Sequence, residues 1–345
     1  LTGDELAGLA CEEELESRLI IGQGSDWTVR HGPFSPEDFA RLPESHWTLL
    51  VQDVVKYVPE VTRLLDAFDF VPQWRIDDIM ISFASDGGGV GPHVDAYDVF
   101  LMQGYGNRRW RISERAYADT DLLSGMELRI LGRFDTDHDW ILEPGDILYL
   151  PPGVAHWGTA DGDCMTYSLG FRSPNQQELA GDWFQHLVSL TDERHRLADP
   201  PFENLQMLGQ LGNDRIAAAA DLFRRLPSSG SDDFATWLGC HLTEPKPQFQ
   251  LLPIQTGWEG ADLDAWLGSG RGFVRHPWAR LCWRPLCDGR LALFVNGEQL
   301  TLAAACRALV DLLCSKRQPD AADIHAVLPE DSPQKAALLE LINLG

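Results

Sequence analysis

The residues best suited to chemistry lie in two short runs. The first is Gly87-Gly-Gly-Val-Gly-Pro-His93-Val-Asp95, and the second is Gly145-Asp-Ile-Leu-Tyr-Leu-Pro151-Pro-Gly153-Val-Ala-His156. On a strand, residues i and i+2 point to the same face, so His93 and Asp95 aim together into whatever the strand encloses. His156 supplies a second imidazole. Two imidazoles and a carboxylate on one side of a metal make the facial triad of non-haem iron(II) oxygenases, leaving positions open for a chelating keto acid and for dioxygen. Zinc prefers four tetrahedral ligands and cannot run a redox step. The pattern therefore predicts an Fe(II) centre held by His93, Asp95 and His156. An isolated His-x-Asp arises by chance in many chains, and the spaced second histidine is what makes this one specific. His46, His138, His186, His195, His241 and His276 lack such context and are read as ordinary.

A keto acid such as 2-oxoglutarate needs a cation for its far carboxylate, and a guanidinium offers two parallel charge-assisted bonds. Downstream of Asp95 runs Tyr97-Asp-Val-Phe-Leu-Met-Gln-Gly-Tyr-Gly-Asn-Arg108-Arg109-Trp110-Arg111-Ile112. Gly104 to Asn107 reads as a turn, so Arg108 opens a strand antiparallel to the one carrying the metal ligands. Alternation puts Arg109 and Arg111 on one face and Arg108 with Trp110 on the other. Parity alone leaves both faces open.

These groups need elements to hold them. Residues 1–75 read as mostly helical, with apolar residues at helical spacing in Asp4–Leu9, Glu12–Leu19 and Val51–Phe68. From Trp74 to Phe171 the texture is that of short strands, namely Ile79–Phe83, Val99–Gln103, Arg109–Ile112, Asp146–Leu150 and Met165–Phe171, each bounded by Gly, Pro or Asp. Many short strands between turn signals suggest a sandwich or a jelly-roll barrel. Helix returns in Gln176–Leu190 and Asn213–Leu226, whose apolar faces suit intrachain packing or a second subunit. Pro227–Asp233 and Pro245–Pro253 read as linker and loop. A hairpin is expected at Leu291–Val295 and Gln299–Leu302 around Asn296-Gly297. Helices follow at Ala303–Cys314, Asp320–Val327 and Ser332–Ile342, a pattern compatible with a winged helix.

Composition narrows the class. With 44% hydrophobic and 23% charged residues the 345-residue chain reads as globular and long enough for more than one domain. No run approaches the length of a membrane span, and the opening Leu-Thr-Gly-Asp-Glu has no secretory pattern. Seven cysteines at irregular spacings, without a CxxC pair, read as free thiols of a cytoplasmic protein. A net charge of −24 argues against direct nucleic-acid binding and would draw in a basic partner, or else serves solubility alone.

Gly145–His156 is similar to the second cupin signature, and Gly87–His93 to the start of the first, with Asp95 where many cupins have a histidine. Gly-Pro-His93-Val-Asp95-x-Tyr97-Asp98-Val-Phe100, Gln103-Gly104 and Arg109-Trp110-Arg111 closely resemble the bacterial ribosomal oxygenases of the JmjC class. Trp74–Phe83, Glu143–Tyr149, Tyr167–Arg172 and Asp4–Ala10 also fit. The resemblance covers residues 1–175 and weakens in the C-terminal third. It implies an α+β protein: a jelly-roll (JmjC/cupin, double-stranded β-helix) catalytic domain over 1–174, a helical dimerisation region over 175–232 and a winged-helix-like domain over 233–345. It also implies an Fe(II)-, O2- and 2-oxoglutarate-dependent hydroxylase. The bacterial branch acts on an arginine of the large-subunit ribosomal protein numbered sixteen. By the resemblance Arg108 anchors 2-oxoglutarate and Ser168 places a hydroxyl near the same carboxylate. Tyr105 and Asp86, in expected loops near the pocket mouth, are candidates to pack on or pair with a cationic substrate, their plain alternative being surface-loop roles. The segment between Ser113 and Asp139 aligns little with that family, so its substrate loops are expected to differ, and Trp157, after His156, is given no role. Two rival readings share the ligand set: a JmjC lysine demethylase and a non-catalytic metal-binding cupin.

Overall fold

Extended chain, where helix was expected, occupies much of the first fifty residues. α1 (Gly3–Leu9) is present, its start closed by a capping box between Thr2 and Glu5. The expected helix over Glu12–Leu19 is instead a loop entering β1 (Ser17–Gln23), which pairs with β2 (Asp26–His31). After the single turn α2 (Pro36–Phe39), β3 (Trp47–Val51) joins the other side of β1. The cause of the misreading is burial on both faces. Leu19 and Leu49 share one buried cluster with Leu6 of α1, while Ile20, Thr48 and Leu50 line a cavity. With apolar residues on both sides, the alternation that marks a strand disappears. The Val51–Phe68 stretch is helical only in short pieces, 3-10 turns flanking α3 (Pro59–Thr62).

The sheet is completed by β4 (Ile76–Ala84), β5 (His93–Val94), β6 (Asp98–Ser113), β7 (His138–Leu142), β8 (Ile147–Leu150) and β9 (Ala155–Phe171). Its order is β2-β1-β3-β4-β9-β6-β7, with β5 on β9 and β8 on β6. β9 pairs with β4 through Cys164–Phe171 and with β5 through Ala155–His156, while β6 follows it along nearly its whole length. One long antiparallel pair thus serves both halves of a jelly-roll barrel. The two strands expected at Val99–Gln103 and Arg109–Ile112 are a single strand. Gly104 to Asn107 is no turn but a pair of register shifts within β6. A Cβ on Gly104 would stand 2.4 Å from the Tyr167 ring, and one on Gly106, whose φ is +60°, 2.1 Å from the Asp163 carbonyl oxygen. Glycine there permits close approach across the sheet. Arg108 consequently lies inside a strand, antiparallel to β9 and so to the segment bearing His156.

The computed structural model describes residues 1–345 apart from 25, 173, 198–210, 228–229, 247–255, 330–331 and 345. The expected linker Pro227–Asp233 and loop Pro245–Pro253 fall partly outside those residues. The barrel shares one compact unit with residues 243–345, and residues 174–242 form another, running past the expected boundary at 232. That second unit holds α4 (Gln176–Ser189), α5 (Asn213–Arg224) and α6 (Ser231–Thr243), with an aromatic cluster of Trp183 on α4 and Phe234, Trp237 and His241 on α6. Phe184 and Val188 of α4 and Ile216 and Phe223 of α5 are exposed.

The C-terminal segment holds α7 (Gly260–Gly268), β10 (Leu281–Pro285), β11 (Leu291–Val295), β12 (Glu298–Leu302), α8 (Arg307–Ser315), α9 (Ala321–Val327) and α10 (Pro333–Leu344). Asn296 and Gly297 take φ of 50° and 89°, as the expected tight hairpin requires. Leu263, Leu293, Leu309, Ile324 and Leu338 form its core. Among the described residues no helix is long and apolar enough to cross a membrane.

Candidate metal centre

β5 is only two residues long, but it sets His93 directly opposite His156 on β9. The two rings lie 4.2 Å apart, centre to centre. Asp95 brings Oδ2 to 3.5 Å from His156 Nε2 and 3.9 Å from His93 Nε2. Among the described residues this is the one group of three or more His, Cys, Asp or Glu side chains with ligand atoms mutually within 4.8 Å. Each imidazole is oriented by its own backbone. His93 Nδ1 bonds the Gly91 carbonyl at 2.9 Å and His156 Nδ1 the Val154 carbonyl at 3.0 Å. An Nδ1–H donating there leaves each Nε2 lone pair facing the cluster. Burial, and then the neighbouring His93, push the His156 pKa down to about 3, which keeps the ring neutral as ligation requires. Burial raises the Asp95 carboxyl, against the opposing pull of His93. A cation between these groups would relieve the desolvated carboxylate.

The triad borders a cavity of about 400 Å³ enclosed by the inner faces of β1, β3, β4, β6 and β9. Arg108 projects into it and is only 3% exposed. Its Nε and Nη1 have no hydrogen-bond partner among the described residues. The Cys164 thiol lies against the guanidinium and Trp110 packs 5.1 Å from it. Burial lowers the Arg108 pKa, yet a guanidinium stays charged. A buried cation without a partner is costly, so this geometry fits an anion that completes it, and the distal carboxylate of a keto acid has the right chemistry. The other two arginines are used elsewhere. Arg109 pairs with Asp139 through Nε at 2.8 Å and Nη2 at 2.5 Å, on the surface. Arg111 lies 3.9 Å above the Trp157 ring and donates to Thr159 Oγ1 at 2.9 Å. Trp157 is thus a platform for Arg111. Ser168 also lines the cavity, on the same face of β9 as Thr166.

Tyr105 and Asp86 do not line it. Tyr105 belongs to β6 rather than a loop, sits opposite Met165 and is 58% exposed. Asp86 is also exposed and accepts the Gly162 N–H at 2.8 Å. Conversely, the segment between β6 and β7, which carried no sequence signal, supplies Glu127, Leu128, Arg129 and Ile130 to the cavity wall. It is pinned by Leu131 N–H donating to the Pro92 carbonyl at 2.8 Å and by the His31–Glu127 pair at 2.6 Å. Gly158 was missed as well. A Cβ there would lie 2.7 Å from both Arg108 Nε and the Trp110 ring.

Comparison with known proteins places this geometry. Residues 63–179 match the JmjC domain family and residues 218–345 the ROXA-like winged helix family. The Escherichia coli protein named ribosomal protein uL16 3-hydroxylase is 34% identical over 345 residues, covering 100% of this chain and 89% of that one. A solved structure of E. coli YcfD matches with a TM-score of 0.80 at 34% identity, over 100% of this chain and 90% of that chain. Another, of YcfD described as a ribosomal oxygenase in complex with cobalt and 2-oxoglutarate, matches at 0.77 over 100% and 89%. A Drosophila persimilis protein named bifunctional lysine-specific demethylase and histidyl-hydroxylase NO66 is 34% identical over 95 residues, 27% of this chain and 13% of its own length. A jelly-roll barrel bearing a His-Asp-His cluster and a buried arginine, joined to a winged helix and matched from end to end, makes this chain a member of the JmjC-domain ribosomal oxygenases.

Proposed function

We propose that the chain is an Fe(II)- and 2-oxoglutarate-dependent protein hydroxylase acting on an arginine side chain of a basic large-subunit ribosomal protein. The observation that carries this reading is the pairing of three convergent candidate ligands with a buried Arg108, its Nε and Nη1 without hydrogen-bond partners among the described residues, on the wall of the same cavity. It is supported by the E. coli relative's name and by the YcfD structure with cobalt and 2-oxoglutarate.

His93, Asp95 and His156 would hold the iron. When bound, it supplies the dioxygen activation that, coupled to oxidative decarboxylation of 2-oxoglutarate, inserts oxygen into an unactivated C–H bond. The chain's own share is placement. Arg108 would take the distal carboxylate, with Ser168 and Thr166 on the adjoining wall, and so fix where the keto acid meets the metal. Leu101, Trp110 and Ile130 give that space apolar walls that exclude water. Tyr105 and Asp86 border the Gly162–Met165 segment of β9, and offer a ring and a carboxylate suited to a guanidinium. The chain's −24 charge would speed encounter with a basic substrate. A ribosomal substrate implies a cytoplasmic enzyme. A homodimer through the exposed apolar residues of α4 and α5 is part of the same proposal.

The test is anaerobic reconstitution with Fe(II), followed by mass spectrometry of a basic ribosomal-protein peptide after oxygen and 2-oxoglutarate are added. The expected result is gain of one oxygen on arginine, absent in His93→Ala. Succinate without peptide oxidation would discard the substrate and keep the oxygenase, and formaldehyde release from a methylated lysine peptide would favour demethylation. Bound iron with no turnover of either kind would leave a binding module.

Gly158 gives a sharper prediction. Gly158→Ala should weaken 2-oxoglutarate binding roughly tenfold to a hundredfold, because the new methyl displaces the guanidinium. Affinity for the metal alone should hold. Calorimetric titration of each ligand checks this, and unchanged 2-oxoglutarate affinity would mean that Arg108 is held less tightly than its contacts imply.

A further inference from the structure

Outside the metal centre, a second group of largely buried cations gathers around few carboxylates. Between the barrel and the C-terminal segment lies a small recess of about 20 Å³, bordered by Lys56, Lys246, Arg280 and Arg317, with Asp77 as its one lining carboxylate. Three of the cations are accounted for. Lys56 pairs with Asp53. Lys246 reaches Asp53 and Asp77, both at 3.4 Å. Arg280 donates to Asp77 at 3.3 Å and to the Glu244 carbonyl at 3.0 Å. Arg317 is different. It is only 7% exposed, its Nε is buried without a partner, and its guanidinium has no hydrogen bond or ion pair among the described residues.

Arg275 adds to the imbalance. Its backbone N–H donates to the Arg317 carbonyl at 2.8 Å, and Nη1 reaches the Leu313 carbonyl at 3.3 Å. Its Nε and Nη2 are buried and unpartnered. Burial lowers both guanidinium pKa values, to about 9 for Arg275 and about 10 for Arg317, with the neighbouring Arg317 lowering Arg275 further. The acid coupled to both is Asp66, which is exposed and forms no ion pair with either among the described residues. Two neighbouring desolvated guanidinium groups, offset only by an exposed acid that pairs directly with neither among the described residues, are unfavourable for folding. In a chain of charge −24 such a local reversal of sign calls for an occupant.

We propose that this recess binds a halide-sized inorganic anion, with Arg317 as its principal donor, and that the bound anion fastens the barrel to the winged-helix segment. Size selects the class. The volume suits a body no larger than about one water, so a monatomic anion fits and a tetrahedral oxyanion does not. The charge selects an anion over water, since water would leave the net positive charge uncompensated. The site spans both parts of the unit, because Val55 to Asp77 belong to the barrel side and Pro245 to Arg317 to the other. Gln73 Nε2, which donates to the Ser315 carbonyl at 2.9 Å, crosses the same junction.

The experiment uses the full chain at constant ionic strength in sodium gluconate, chloride, bromide or phosphate. Chloride and bromide should raise Tm over gluconate by roughly 3–6 °C where the halide is in about hundredfold excess over its Kd. Arg317→Met should abolish that difference. An equal halide shift in wild type and Arg317→Met, or none in wild type, would overturn the proposal, as would stabilisation by phosphate alone. Bromide-soaked wild-type crystals give a readout that needs no variant. An anomalous peak within hydrogen-bonding distance of Arg317 is expected, and ordinary water density there would refute it.

Discussion

Asp95→Ala is expected to abolish metal-dependent 2-oxoglutarate turnover, by about a thousandfold or more, while leaving the apo protein folded. The two effects separate because the carboxylate does different things with and without a metal. Without one, it is a desolvated anion whose Oδ2 lies 3.5 Å from the neutral His156 ring, and burial already raises its pKa. Deleting it removes an unfavourable buried charge, so apo Tm should hold or rise. With a metal, it would be the single anionic ligand of the set. Two imidazoles on neighbouring strands remain, but they offer no charge neutralisation and fewer donors than the facial arrangement needs. Loss of several kcal/mol of metal-assisted stabilisation corresponds to the stated fall in rate. Asp95→Asn keeps the shape and loses the charge, and should fall between. The readouts are metal affinity by titration and Tm with and without metal. Retained affinity in Asp95→Ala would sink the assignment of Asp95 as a ligand.

How much of this was legible in sequence depends on which physical constraint wrote each residue. The triad was legible because ligand chemistry restricts residue type and strand geometry restricts spacing: His93 and Asp95 are two apart, and His156 follows a glycine- and proline-marked turn. The Asn296-Gly297 hairpin was legible for a similar reason, as two consecutive positive φ values leave few residue choices. β1 and β3 were not. Their residues face α1 on one side and the cavity on the other, and the resulting Leu-Ile-Ile and Leu-Leu-Val runs carry no strand period. Gly104 and Gly106 misled in the other direction, since glycine for close approach looks the same in sequence as glycine for a turn. The cavity-lining residues between β6 and β7 were invisible because tertiary contacts hold them, Leu131 to Pro92 and Glu127 to His31, with no local periodicity. The face of the arginine run was open by parity and is settled by burial: Arg108 faces in, Arg109 faces out.

That burial makes Arg108 the second position of large expected effect. Arg108→Met should raise the KM for 2-oxoglutarate by at least about thirtyfold, since a buried charge pair that loses one partner costs some 2–5 kcal/mol. Methionine keeps much of the stem's volume beside Trp110 and drops the charge. The apo protein should therefore gain stability, by about 1–3 kcal/mol, because a cation that is 3% exposed and unpartnered at Nε and Nη1 has been removed. Metal affinity without co-substrate should hold or rise slightly, since the Arg108 charge acts on His156 and opposes positive charge there. Arg108→Lys tests whether charge alone suffices. An ammonium is a point charge that cannot make the paired contacts of a guanidinium, so KM should stay at least tenfold above wild type. The combination is diagnostic. A structural arginine would lose stability on replacement by methionine and leave KM untouched, whereas an anchor for a missing anion gains stability and loses affinity. Full recovery of KM in the lysine variant would show that the cavity selects charge and not the planar fork that Gly158 leaves room for.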